Sequence, residues 1–302
     1  MASTPGAEQP LVAVVGGLTG LVGRALRAEL APDHRLRSIH RGAVPAERGT
    51  GVEVVEADAA TVDDWRPLLR DVDTVVNVAW YRQARRAAFV RLADGLVRLV
   101  RAAEDEGVRR FVHLSVPAAP ERLERDLPYL AEKRRVDRAV EASSLRYAIV
   151  RPTMLFGPRD RLLTVMLRTV RRYGRFPMFG DGEYHLSPLA VADLAAIVRR
   201  EGEAGPRATV LAGGPRRWRY RDLTDLLFRS LGKTPRYLSL SPGGSVRLAS
   251  LLETLGSSLL YRYEVEWLLS DRLGLDPYRG LDRPLAAVEP FLAAEAAAPS
   301  RP

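Results

Sequence analysis

Two rhythms of apolar and polar positions alternate along the first half of the chain. Short, mostly apolar runs occur at 11–15, 35–39, 52–58, 73–79, 108–114 and 147–150. Between them apolar residues recur every three or four positions. Leu21, Ala25, Leu26 and Leu30 open the series, and 61–69 follows with Thr61 or Asp63 as its cap. A longer stretch of about 84–106 carries Phe89, Leu92, Leu96, Leu99 and Val100 on one face and stops at Gly107. A further helix is predicted over about 127–143. Runs that are apolar on both faces suit a parallel sheet covered on both sides. Six alternations therefore predict an α/β fold with a doubly wound parallel sheet.

Beyond Pro152 the regularity lapses. Gly, Pro and aromatic residues crowd 153–185, which reads as a loop-rich lobe over a pocket, with Met154, Phe156, Phe176, Met178, Phe179 and Tyr184 as an apolar lining. A helix over 187–200 and a strand over 209–212 return to the sheet. Helices are predicted over 220–231 and about 245–273. The resulting organisation is a nucleotide-binding domain over 10–152, rejoined by 186–214, and a smaller, mostly helical substrate lobe over 153–185 and 215–292. Residues 1–9 and 293–302 read as disordered tails, and 43–50 as a polar loop. On the helix of 245–273, Leu251, Leu252, Leu255, Leu259, Tyr263 and Trp267 fall at helical spacing as a core-facing stripe. Its aromatic residues and basic flanks leave a peripheral membrane or protein-complex contact as the lesser alternative.

Composition narrows the classes. The 302 residues contain no Cys, which excludes disulfides, thiolate metal sites and a Cys nucleophile. His34, His40, His113 and His185 show no metal-ligand spacing. The N-terminus lacks the build of a signal peptide and no apolar run reaches the length of a membrane span, so a cytoplasmic location is expected by elimination. The net charge is +9, and of 46 basic residues all but Lys133 and Lys233 are arginine. This excess runs along the whole chain. It suits anionic small molecules, and with no aromatic-and-basic reading module a nucleic-acid partner is not expected.

Ligands of such sheets sit beyond the carboxyl ends of the strands. The first of these ends is Gly16-Gly17-Leu18-Thr19-Gly20-Leu21-Val22-Gly23. A glycine-rich turn lets a phosphate approach the backbone, and the helix that follows offers unpaired N–H donors. The other ends bring His40, Arg41, Asp58, Ala79, Ser115 and Arg151-Pro152 to the same edge. A second constellation is Pro128-Tyr129-Leu130-Ala131-Glu132-Lys133. Tyr129 and Lys133 stand four apart on one helix face, where an ammonium lowers a phenol's pKa and makes it a usable acid/base. In a chain so depleted of lysine, a lysine here points to a need for a compact ammonium.

Taken together, the glycine loop, Val52–Asp58, Val75–Ala79, Gly107–Ser115, Tyr129 with Lys133, Ile149–Pro158 and Val191–Ala195 resemble the short-chain dehydrogenase/reductase superfamily, in its nucleoside-diphosphate-sugar epimerase/dehydratase group. Residues 263–271 and 280–292 are similar to the subgroup of the nucleotide-binding accessory subunit of respiratory complex I. The resemblance implies a Rossmann sheet with NAD(P) across it. Gly17, Thr19, Gly20, Leu21 and Val22 would cradle the pyrophosphate, with Ala79 and Pro152 beside the cofactor and Asp58 near its adenine. Lys133 would hold the nicotinamide ribose, and Tyr129 would act as acid/base in hydride transfer to or from a small-molecule carbonyl or carbinol, with Ser115 in support. Strand two ends in His40-Arg41 without a carboxylate, and Arg24 opens the first helix. That charge favours NADP(H) over NAD(H), with Arg41 first and Arg24 second.

Two departures stand against the family pattern. The Ser or Thr usual after the fifth strand falls on Val116 or Pro117, and the Asn usual on the preceding helix falls around Leu92-Ala93, ahead of Gly95. Three readings follow: a reductase or epimerase, an NADP(H)-binding sensor or assembly factor with little turnover, and a basic surface binder using the fold as scaffold. Oligomeric state is not legible.

Overall fold

A computed structural model describes residues 9–42, 51–82, 85–160, 162–203, 205–257 and 260–298. The loop expected at 43–50, residues 1–8 of the first expected tail and residues 299–302 of the second lie outside these residues. The first half of the chain runs β1 (Leu11–Val15), α1 (Leu21–Leu30), β2 (Arg35–His40), β3 (Val52–Glu56), α2 (Arg66–Leu69), β4 (Thr74–Asn77), α3 (Arg86–Asp105), β5 (Arg110–Leu114), α4 (Glu121–Asp126), α5 (Pro128–Ala142) and β6 (Tyr147–Pro152). Then come β7 (Leu155–Phe156), α6 (Leu162–Tyr173), β8 (Phe176–Phe179), β9 (His185–Leu186), β10 (Leu189–Ala190), α7 (Val191–Glu203) and β11 (Ala208–Ala212). The chain closes with β12 (Trp218–Arg219), α8 (Tyr220–Ser230), β13 (Tyr237–Leu240), α9 (Pro242–Thr254), α10 (Arg262–Leu268) and α11 (Val288–Ala297).

The central sheet has seven strands in the order β3-β2-β1-β4-β5-β6-β11, all parallel. Alternation along a strand sends neighbouring side chains to opposite faces. Leu11, Ala13 and Val15 accordingly pack with Leu92, Leu96 and Leu99 of α3 and Val136 and Val140 of α5. Val12 and Val14 pack with Leu26 and Leu30 of α1 and Leu194, Ile197 and Val198 of α7. Sheet order reverses between β1 and β4, which both begin the halves of the sheet. This opens the crevice where dinucleotides bind in such folds.

The lobe has its own core. Phe156, Phe176, Met178, Phe179 and Tyr184 are buried there with Leu163, Leu167, Leu223 and Phe228, and Met154 packs against it. Residues expected to line a pocket instead fill this core, because a lobe built from three two-stranded sheets and short helices has little else apolar to bury.

Three further expectations are corrected. The helix of 245–273 is two helices, since Gly256 takes a left-handed backbone (φ +75°) and its N–H closes on Glu253 O, ending α9. The single stripe is thereby broken. Leu251 and Leu255 are 57% and 73% exposed, while Val265 and Trp267 of α10 are buried. At the other end α11 continues to Ala297, beyond Ala293 where composition predicts fraying, because Val288 and Leu292 anchor it in the lobe core. The helix of 61–69 shrinks to Arg66–Leu69, with neither Thr61 nor Asp63 as its cap.

Candidate functional site

Because every strand of the sheet runs the same way, all the carboxyl ends named above share one edge. The turn after β1 is held close to its neighbours. Gly17 has φ +83°, and a Cβ there would lie 2.9 Å from the His40 side chain. A Cβ on Gly23 would lie 2.2 Å from Gly17 O, so α1 can begin this near the turn only with glycine there. Gly20 is the helix N-cap. No side chain caps it, no acidic residue lies in the first turn, and nothing stands within 4 Å of a Cβ built on it. Thr19, Leu21 and Val22 are half-buried beside it, and Arg24 is exposed one turn on.

At the neighbouring strand ends, Arg41 lays its guanidinium 4.4 Å from the centre of the Tyr81 ring, and the Tyr81 hydroxyl donates to Asp58 Oδ1. The same carboxylate oxygen accepts the Ala60 N–H at 2.9 Å. Burial, then the bond to Asp58, push the Tyr81 phenol above its ordinary pKa. Arg41, Tyr81 and Asp58 thus form one cluster, in which Tyr81 has no separate signal in the sequence. Ala79 and Pro152 are buried at their strand ends.

The second constellation sits on α5, which Pro128 opens at a position where its missing N–H costs nothing. Lys133 is 5% exposed. Its Nζ donates to Leu114 O at 2.7 Å and lies 4.3 Å from the centre of the Trp80 ring. Burial pulls its pKa down to about 8, against the opposing pull of the Asp137 carboxylate. Tyr129 meets Trp80 and Phe89 edge-on, each at 6.0 Å, and stacks on Tyr263 of α10 at 4.8 Å. Trp80, directly after Ala79, is therefore the ring that touches both members of the pair. Burial first, and the Glu264 carboxylate second, push the Tyr129 phenol above its ordinary pKa. The lowering expected from Lys133 is not the outcome, since that ammonium is engaged by a carbonyl and an aromatic face.

Behind the pair lies a buried polar group of four. Asn77 Nδ2 donates to His113 Nδ1 at 3.0 Å, and Asn77 Oδ1 accepts the Ala79 N–H at 3.1 Å. The acceptor role of Nδ1 places the proton of a neutral His113 on Nε2, 3.5 Å from Asp137 Oδ1. Burial pulls the His113 pKa down to about 3, so this approach is not an ion pair at neutral pH. Asp137 is paired instead with Arg151 and Arg134, each at 2.9 Å through Oδ2. Ser115 is 4% exposed, and its Oγ has no hydrogen-bond partner among the described residues. Trp80 Nε1 is buried and equally unpartnered.

These features fit a nicotinamide dinucleotide. An uncapped helix N-terminus faces a glycine turn, and two orphaned polar atoms, Ser115 Oγ and Trp80 Nε1, belong to residues at the carboxyl edge. A separate cavity of about 300 Å³ opens at the amino edge, lined by Pro10, Val12, His34, Thr74, Arg109 and Arg146, and none of the site residues borders it.

A family model described as NAD(P)H-binding matches residues 17–171. The chain belongs to this NAD(P)H-binding family. It is 26% identical over 250 residues to subunit 9 of the NADH dehydrogenase [ubiquinone] 1 alpha subcomplex of Arabidopsis thaliana mitochondria, covering 76% of this chain and 60% of that protein. It is 34% identical over 194 residues to a ceramide reductase of Caulobacter vibrioides, covering 61% and 59%. The chain thus spans about 60% of the length of these relatives. Among solved structures, a nucleoside-diphosphate-sugar epimerase of Staphylococcus aureus superposes with TM-score 0.72 at 16% identity, covering 94% of this chain and 99% of that one. The Bordetella bronchiseptica enzyme WbmH, solved with NAD+, gives 0.68 at 16%, covering 95% and 97%. At that identity the likeness is one of fold, and it extends through the lobe. Among the described residues, no helix is long and apolar enough to cross a membrane.

Proposed function

We propose that the protein is an NAD(P)H-dependent oxidoreductase that reduces a carbonyl to a carbinol, with Tyr129 as proton donor. The observation that carries this reading is the Tyr129–Trp80–Lys133 arrangement at the carboxyl edge of an NAD(P)H-binding sheet. A bound dihydronicotinamide would supply the hydride to the carbonyl carbon. The Tyr129 hydroxyl then gives its proton to the carbonyl oxygen as charge develops there, and the phenolate is reprotonated from solvent. A phenol held above its ordinary pKa keeps its proton at neutral pH. It suits donation to a nascent alkoxide better than abstraction from an alcohol, so the reducing direction is favoured. Lys133 would bind ribose hydroxyls through its ammonium, and Ser115 Oγ offers a further hydrogen bond.

Arg41 directly follows β2, the strand that in NAD binders ends in a carboxylate, which supports NADP(H), with Arg24 on α1 as the second candidate. The Caulobacter relative's name supports a reductase. The Arabidopsis relative supports the second reading, a nucleotide-binding sensor or assembly subunit with little turnover, as do Val116 and Pro117 at the usual hydroxyl position.

The test is Tyr129→Phe in an NADPH-oxidation assay over a panel of carbonyl compounds. The variant should lose on the order of a hundredfold or more in kcat while binding NADPH with unchanged affinity. Unchanged turnover overturns the reductase reading and leaves the sensor. In the same assay, Arg41→Ala should raise KM for NADPH and leave that for NADH where it was.

A further inference from the structure

The rings around Tyr129 come from widely separated parts of the chain and have a common character. Trp80 follows β4, Phe89 lies on α3, and Tyr261 and Tyr263 open α10. Phe89 meets Tyr263 edge-on at 5.7 Å, and Tyr261 stacks on Tyr263 at 5.7 Å. Beneath them Leu127, Leu130 and Trp267 are buried in the same cluster.

The cations that border this box are engaged. Lys133 holds Leu114 O beneath the Trp80 ring. Arg82 meets both oxygens of Glu264, at 2.5 and 2.7 Å, and lies 5.2 Å from the centre of the Tyr261 ring.

We propose that this aromatic box receives an apolar, uncharged carbonyl compound with an alkyl chain, and that Tyr263 is the ring that sets its fit. This rests on the reading of Tyr129 as proton donor. A sugar nucleotide would bring a diphosphate to the box, and drawing Arg82 towards it would leave the Glu264 carboxylate facing the anion. An alkyl chain displaces no charge and exchanges water for aromatic surface. The wall can also yield: Arg82 and Glu264 are 46% and 26% exposed. A pair so wetted biases α10 towards closure by no more than about fivefold.

The experiment uses the full chain with NADPH, straight-chain 2-alkanones of increasing length as substrates and UDP-glucose as competitor. Expected is a rise of about fourfold in kcat/KM for each added methylene over the first several. UDP-glucose should neither be consumed nor inhibit. Tyr263→Phe should keep the chain-length dependence, whereas Tyr263→Ala should flatten it, with NADPH affinity equal in all three proteins. A flat dependence in the unaltered protein, competition by UDP-glucose, or an undiminished slope in Tyr263→Ala overturns the proposal. If no alkanone turns over, tryptophan fluorescence reads the box by itself, since Trp80 and Trp267 belong to it. Chain-length-dependent quenching that Tyr263→Ala abolishes upholds the box while the proton-donor reading fails. Absence of any quenching overturns the box.

Discussion

His113 is wholly buried and wedged between Asn77 and Asp137, and a charge on its ring would face Lys133 and Arg151. Its folded pKa of about 3 lies below the ordinary value of 6.5. Between those values the unfolded chain takes up a proton that the folded chain refuses, so stability falls as pH drops from 6.5 towards 3. The slope is up to about 1.4 kcal/mol per pH unit. His113→Asn keeps an acceptor for Asn77 and removes the titration. Its urea-unfolding free energy should therefore vary less with pH over that window, and an acid limb as steep as in the unaltered protein would show that other groups govern it. His113 was legible in the sequence only as the penultimate residue of a strand. The same limit explains the site. Gly17, Gly20 and Gly23, and Tyr129 with Lys133, are short-range patterns whose spacing carries their chemistry. Trp80 and Tyr81 acquire meaning only from contacts made across the fold, and Tyr263 is marked locally only as one position of an apolar stripe, with nothing there that joins it to Tyr129.

At the level of elements, the helix–loop contact at Gly95 shows how packing substitutes for a motif. The helix position where the resemblance leads one to expect Asn is filled by apolar Leu92 and Ala93, both wholly buried against the sheet. What α3 retains is the close approach. A Cβ on Gly95 would stand 1.6 Å from Ala59 O, and Trp65 Nε1 donates to Gly95 O at 2.9 Å. The loop so gripped carries Asp58, which holds Tyr81 under Arg41. Gly95→Ala must push the loop off the helix, at a cost of about 3 kcal/mol as for other overpacked sites. A thermal melt should move down by several degrees, and NADPH affinity should fall with it because Asp58 shifts. An unchanged melting temperature would mean that the loop relaxes freely. Strands and long helices were legible here because one periodicity serves each. The helix of 245–273 was not, since Gly256 takes its left-handed turn inside an otherwise continuous leucine pattern.

Across the whole molecule, two stretches that resemble relatives separately turn out to be the two sides of one junction. Asp193, on the first turn of α7 and 1% exposed, accepts hydrogen bonds from Arg283 Nη1 at 2.5 Å and from Ala286 N at 2.7 Å. The segment it holds lays Tyr278, Leu281 and Leu285 on the core under α1 and α7, then passes into α11, whose Val288 and Leu292 complete the lobe core. The Asp193 carboxylate thus fastens the stretch that runs from the sheet's helices to the lobe core, and upstream of it the Tyr278 hydroxyl donates to Glu201 Oε1 at 2.7 Å. Removing it leaves the Ala286 N–H without its acceptor and Arg283, half-exposed, without its anchor. Asp193→Ala should therefore release this segment before the sheet opens. Trypsin should cut after Arg279, the bond to Gly280, at least about tenfold faster than in the unaltered protein, while far-ultraviolet circular dichroism stays the same, as expected of a local opening. Arg216→Ala, which removes the outlying 3.6 Å pair with Glu289 and a stack on the Trp218 ring but leaves Asp193 in place, should leave the cleavage rate where it was. Equal cleavage in Asp193→Ala and the unaltered chain would show that the remaining contacts hold the segment. Faster cleavage accompanied by lost NADPH binding would show that the nucleotide edge depends on the junction as well.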